Sequence, residues 1–334
     1  MFMIRAFSVR LMVTVLAALL LVDVLLPGIT RPASRTPASK NGITAGSSGG
    51  IKTEEPFMPY RDTVIVLMFH NISATYNGRG TITPEIFNAD IQALLAGGYR
   101  IIPVSRLVSF LQGKAEVPPN AVVITFDDGC AGVYNHAYPV LKRNRIPATV
   151  FLITGDVGQK QGILTWPQIR EMANSGLVTF GGHSHAAHLV VPTGPRSTAP
   201  ATVARVFDPN TGHKETEAEY RPRIFTDNLR AKQILKRELG YDTPYFAYPY
   251  GAYNQDLDRI LHGVGYEYYF TTLAGPNRFG QDPGHIYRIN AGTPSTSPKR
   301  LIAKIQCTAW LYKTPHGMPA GWMPRWAEDP ALHL

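Results

Sequence analysis

The sequence predicts an α/β domain built on a parallel sheet, open or closed as a barrel, and three observations carry that expectation. Short apolar runs of strand character alternate with helical segments from Val64 onward. One of these runs, Ala121 to Phe126, reads as a buried strand that ends in two adjacent carboxylates, Asp127 and Asp128. Asp127, His70 and His183 each fall at the carboxyl end of such a run, where α/β sheets and barrels place their sites.

In chain order, residues 1–30 come first. Arg5 and Arg10 precede an apolar stretch from Leu11 to Ile29, interrupted only by Asp23 and Pro27. That is about the length of one membrane span or a long signal-peptide core, and an uncleaved signal-anchor is the preferred reading. Pro32-Ala33-Ser34 offers a cleavage site for the alternative. The basic flank stays in the cytoplasm, so the remainder is expected on the extracytoplasmic face of the cell membrane, or secreted if the segment is cleaved. Residues 31–55 are rich in Pro, Ser, Thr, Gly and Ala and form a flexible linker.

The folded domain spans 56–310. Strands are predicted over Val64–Phe69, Arg100–Val104, Ala121–Phe126, Ala148–Ile153, Leu177–Phe180, Tyr245–Tyr248 and Tyr268–Thr272. Helices are predicted over Pro84–Ala96, Ser105–Gln112, Val133–Arg143, Pro167–Ser175, Thr226–Leu239 and Asn254–Gly263. Between Val190 and Arg223 the chain carries many Pro, Thr and Gly residues with little periodicity, and a surface loop near the site is expected. The tail, 311–334, is rich in Pro, Trp and Met and has no clear pattern.

With 334 residues, 44% hydrophobic and 17% charged, the chain can bury a substantial core, so disorder is excluded as its main state. The net charge of +9 points to an anionic environment. No basic run with interleaved aromatics and no nucleic-acid module is present, so no nucleic-acid partner is expected and a membrane or wall surface fits better. Two cysteines, Cys130 and Cys307, provide no disulfide framework, although one bridge between them is allowed. Cys130 is read as a small buried residue beside the site rather than a catalytic thiol.

Two ionised aspartates at a strand end repel each other and lose hydration, so a cation or a proton must compensate them. About fifty residues on, Gly181-Gly182-His183-Ser184-His185-Ala186-Ala187-His188 offers three imidazoles after another apolar run. One carboxylate with two neutral imidazoles suits zinc, and the other carboxylate is then free to act as a base. Adjacent aspartates argue against a glycosidase, whose two carboxylates stand about 5 Å or more apart across the bond.

Thr125-Phe126-Asp127-Asp128-Gly129 together with His183 and His188 resembles the polysaccharide deacetylase family, also called the NodB-homology or carbohydrate esterase family 4 domain. The resemblance covers roughly Val64 to Ile305. It implies a single catalytic domain folded as a distorted (β/α) barrel of the NodB-homology type. It implies further that Asp128, His183 and His188 bind a divalent metal, zinc first, with cobalt, nickel or iron also accommodated by such a ligand set. Asp127 is then the catalytic base, and the backbone N–H of Tyr250, in Tyr248-Pro249-Tyr250-Gly251, is the oxyanion donor. His185 is the rival to His183 and His188 as a ligand.

Most of the family spaces the two histidines four residues apart, whereas His183 and His188 are five apart. That wider step is similar to the branch that deacetylates poly-β-1,6-N-acetylglucosamine. His70, at the end of Val66-Leu67-Met68-Phe69-His70, matches the same branch, in which an early histidine supplies the catalytic acid. The family's third motif carries an arginine two residues before its proline, and here that position is Ala247. Arg288, in Tyr287-Arg288-Ile289-Asn290, is the substitute considered. The substrate implied is an N-acetylated cell-surface polysaccharide, poly-β-1,6-N-acetylglucosamine ahead of peptidoglycan or chitooligosaccharides. A non-catalytic glycan-binding module is the alternative of another class, favoured by the missing arginine.

Overall fold

The computed structural model describes residues 59–75, 78 and 80–311. The expected membrane segment, the linker and residues 312–334 of the tail lie outside them. Among the described residues no helix is long and apolar enough to cross a membrane.

The first strand, β1 (Thr63–Phe69), is buried along its whole length. Short strands β2 (Asn71–Ile72) and β3 (Thr81–Ile82) pair with each other before α1 (Pro84–Ala96). Thr83 caps that helix by accepting from the Ile86 amide, and Pro84 at its first position sacrifices no intrahelical bond. Then follow β4 (Arg100–Ile101), α2 (Val104–Leu111) and β5 (Ala121–Phe126). A π-helical turn over Val133–Ala137 leads into α3 (Tyr138–Asn144), where one continuous α-helix was expected. After β6 (Ala148–Leu152), α4 (Trp166–Asn174) and β7 (Val178–Gly182) the chain leaves the alternating pattern.

The expected loop of 190–223 proves more ordered than its composition suggests. It contains the antiparallel hairpin β8 (Val190–Gly194) and β9 (Ser197–Pro200), and α5 (Glu217–Leu239) begins nine residues before its predicted start. The Pro-rich composition of the segment includes Pro222, which lies inside this helix and removes one of its backbone bonds. Here a capping box of Thr216 and Glu219 starts the helix. Tyr220 donates to the Thr202 carbonyl, while Arg223 pairs with Glu215 and donates to the carbonyls of Ala201 and Ala204. These tertiary bonds offset the lost one. The pattern resumes with β10 (Tyr245–Ala247), α6 (Gln255–Val264), β11 (Tyr268–Phe270), β12 (Asn277–Arg278), β13 (Ile289–Asn290) and a helix the sequence pattern did not reveal, α7 (Pro298–Leu311).

The strands β1, β5, β6, β7, β10 and β11 are hydrogen-bonded in that order, all parallel. Segment 286–291 joins the two edges. Ile286 bridges Phe270 on one side, and Ile289 and Asn290 pair in parallel with Leu67 and Met68 of β1 on the other. The curled sheet therefore closes as a distorted (β/α) barrel.

Alternation along the strands divides the core in two. Leu67, Phe69, Ile124, Phe126 and Val150 face the helices, where Phe69, Phe87 and Phe126 pack with ring centroids 5.5 to 5.8 Å apart. Val64, Val66, Val123, Phe151, Ala247, Phe270 and Ile286 fill the barrel. Because side chains repeat every second residue, the inward series Val123, Thr125 brings Asp127 to the mouth on the same side. Cys130 and Cys307 are both free thiols, so the allowed disulfide is absent.

Candidate active site

Asp127 is held by β1 as well as β5, since its amide donates to the Phe69 carbonyl at 3.0 Å. The residue is 2% exposed, and its carboxylate meets Arg288, itself fully buried, in a two-pronged pair of 2.7 and 2.8 Å. The arginine is placed by more than its charge. Nε donates to the Thr271 carbonyl at 2.7 Å, one terminal nitrogen reaches Thr125 Oγ1, and the guanidinium lies over Phe151 and Phe270. Burial alone would push the Asp127 carboxyl upward. The adjacent Arg288 charge, with contributions from His183 and His70, outweighs burial and holds it below the usual carboxylate range.

Asp128 points elsewhere because its backbone turns. It has φ 70°, and Gly129 follows with φ 75° where an added Cβ would meet Leu152 at 2.8 Å. Aspartate tolerates the left-handed region better than most side chains, and glycine adopts it freely. The turn brings Asp128 Oδ1 to 3.4 Å from His183 Nε2 and 3.5 Å from His188 Nε2. This Oδ1 is buried and has no hydrogen-bond partner.

The two imidazoles are fixed differently. His183 directly follows β7, is 2% exposed, and its Nδ1 lies 2.8 Å from the Ala247 carbonyl. A carbonyl can only accept, so Nδ1 carries a proton, and in its neutral form the ring presents the Nε2 lone pair to Asp128. Burial disfavours the charged form, but the Asp128 and Asp127 carboxylates outweigh it and raise the His183 pKa as long as no cation lies between them. An acceptor facing an acceptor requires a proton or a cation between them. His188 packs its ring on Tyr250 at 4.4 Å, and burial lowers its pKa to about 4, so it is neutral near pH 7.

Asp128, His183 and His188 thus present three ligand atoms within 4.8 Å of one another, the one such cluster among the described residues. Ligands about 2.0 to 2.2 Å from a tetrahedral zinc stand about 3.3 to 3.6 Å apart. The separations of 3.4 and 3.5 Å fit that requirement, and the orphaned carboxylate oxygen and the His183 tautomer fit it as well.

His70 follows β1 at the same mouth. It is close enough for its charge to lower both aspartates, and its Nδ1 is buried without a partner. Tyr250 is half exposed with φ 57°, turning the chain after β10 beside His188. His185 faces away from the cluster, with Nδ1 3.0 Å from Thr154 Oγ1. Burial pushes the Cys130 thiol up to about 12, which suits a packed residue and not a nucleophile. Sequence reasoning missed the Ala247 carbonyl, because a backbone acceptor carries no residue-type signal. Nor did it single out Asp227, which accepts from the His185 and Ala186 amides, because its place in a charged helix reads as solvated surface.

Residues 114–269 match the family model for polysaccharide deacetylase. The chain is similar to the poly-beta-1,6-N-acetyl-D-glucosamine N-deacetylase of Escherichia coli, 28% identical over 198 residues, a match spanning 54% of this chain and 29% of that relative. Among solved structures it is similar to IcaB from Ammonifex degensii, at 32% identity and a TM-score of 0.61 over 73% of this chain and 97% of that one. It is similar also to the de-N-acetylase of Aggregatibacter actinomycetemcomitans, at 25% identity and a TM-score of 0.64 over 70% of this chain and 95% of that one.

Proposed function

The chain belongs to the polysaccharide deacetylase family, and from that premise we propose that it is a metal-dependent N-deacetylase of an amino-sugar polymer at the cell surface. The observation that carries the proposal is a division between neighbours: Asp127 is engaged by a buried arginine, and Asp128 converges with two histidines on one point. A divalent metal held by Asp128, His183 and His188 would polarise the acetamide carbonyl and acidify a water.

The chain's own groups supply the rest. Asp127 accepts the proton of the attacking water, because a carboxylate oxygen engaged by one donor keeps a second lone pair. Arg288 orients it and keeps it ionised, in the role that an arginine at position 247 would fill. Water adds to the carbonyl carbon, the Tyr250 N–H donates to the oxyanion, and the C–N bond breaks as His70 protonates the departing amine. Acetate and a free amine result. Zinc is the first choice of metal, and cobalt, nickel or iron suit the same donors.

The polymer we propose is poly-β-1,6-N-acetylglucosamine, supported by the name of the E. coli relative and by the five-residue step from His183 to His188. Purified protein should release acetate from that polymer, cease on chelation, and recover with added zinc. Equal release with chelator present would sink the metal reading, and preference for peptidoglycan or chitooligosaccharides would reassign the substrate. The exported, membrane-anchored disposition expected from Arg5 to Ile29 belongs to the same proposal, and recovery of the full chain in the cytosol would overturn it.

A further inference from the structure

We infer that Asp227 is a positioning residue for the metal site, acting through the loop that carries His188; the inference rests on the metal reading above. His183 needs no such help, since it directly follows a barrel strand, its amide donates to the Leu152 carbonyl, and its ring is tied to the Ala247 carbonyl. His188 lies beyond the sheet at the end of an irregular loop, and only the path of residues 184–187 brings its Nε2 to Asp128.

That path is held from two sides. From the barrel, the Thr154 and Gly155 amides donate to the carbonyls of Ser184 and His185, and Thr154 Oγ1 meets the His185 ring. Gly155 permits this approach, as a Cβ there would lie 2.5 Å from the His185 carbonyl oxygen. From the outer side, Asp227 on α5 accepts the His185 amide at 2.9 Å on one oxygen and the Ala186 amide at 2.7 Å on the other. Ser184, with φ 73°, turns the chain just before these two amides. Successive N–H groups at such a turn form a small anion-binding concavity, and a side-chain carboxylate occupies it here. Two charge-assisted bonds on adjacent amides fix both the direction and the twist of the loop two residues before His188.

Substitution of a residue that orients a metal ligand costs about 10- to 100-fold in metal affinity. Asp227→Asn keeps one acceptor but turns an amide NH2 toward a backbone N–H, and Asp227→Ala removes both acceptors. Zinc alone is the probe, titrated into the chelator-stripped full-length protein against a competing indicator dye, with His188→Ala as control. The inference expects about a 10-fold weaker zinc affinity for Asp227→Asn, a larger loss for Asp227→Ala, and an altered cobalt absorption spectrum, with thermal unfolding of the metal-free protein little changed. Wild-type affinity and spectrum in both Asp227 variants, or a fall in metal-free stability with affinity retained, would overturn it while leaving the metal site standing. If His188→Ala also binds zinc as the wild type does, the metal reading itself fails.

Discussion

The two sides of the Asp127-Asp128 pair differ in what surrounds them. On the Asp127 side the partner is covalent to the protein: Arg288 is fully buried, gripped by a carbonyl and two aromatic faces, and delivered by the segment that closes the barrel. On the Asp128 side a carboxylate meets two titratable imidazoles and no permanent cation, and one of the two imidazoles arrives on a loop. Adjacent residues of one type are thus compensated in two ways, by a permanent cation and by a site open to an exchangeable one. A third buried carboxylate, Asp90 in α1, has neither; both oxygens lack partners, and burial lifts its pKa to about 7. It meets the same desolvation by keeping its proton.

The comparison breaks most decisively at Asp127. Asp127→Asn should reduce acetate release on the order of 10²- to 10⁴-fold while zinc affinity stays near wild type. Metal loss in this variant would show that the two sides are not separate. On the other side, His188→Ala should remove zinc binding and activity together, and excess zinc should restore part of the activity; full activity in metal-free buffer would contradict the division.

Arg288→Met sharpens the Asp127 side. Leaving a buried carboxylate unpaired should cost about 3–5 kcal/mol of stability, measured by denaturant unfolding. It should also raise the Asp127 pKa, since burial is then opposed only by the charges of His183 and His70. A base works only when ionised, so the acid limb of the kcat/KM profile should move to higher pH. An unmoved limb would mean that Arg288 serves stability alone.

The smallest effect on activity is expected at Asp90. Its folded pKa is raised above the unfolded value of about 3.9, so the protonated form favours folding fully below pH 4, and that contribution is lost as pH rises through about 7. Asp90→Leu should therefore stabilise the protein by about 2–4 kcal/mol at pH 8 and by less at pH 5, with acetate release unchanged. Equal gains at both pH values would show that Asp90 is not the group that titrates.

The barrel strands were legible because parallel strands covered on both sides are apolar throughout, as in Val64–Phe69 and Ala121–Phe126. The segment 190–223 was not, because the bonds that order it run from Tyr220 and Arg223 to carbonyls near residue 202, and such partners leave no periodic trace.

By itself the sequence determined which residue types could meet: two carboxylates at a strand end, imidazoles after another strand, and a histidine after the first. Spacing and alternation set these, since every parallel strand of one sheet delivers its carboxyl end to the same mouth. Only the tertiary structure decided the partners. Whether Arg288 reaches Asp127 depends on closure of the barrel by a segment 161 residues away, and whether His188 reaches Asp128 depends on two amides anchored by a helix 42 residues on. Contacts over such separations are set by packing and hydrogen-bond satisfaction of the whole domain, which no local pattern encodes.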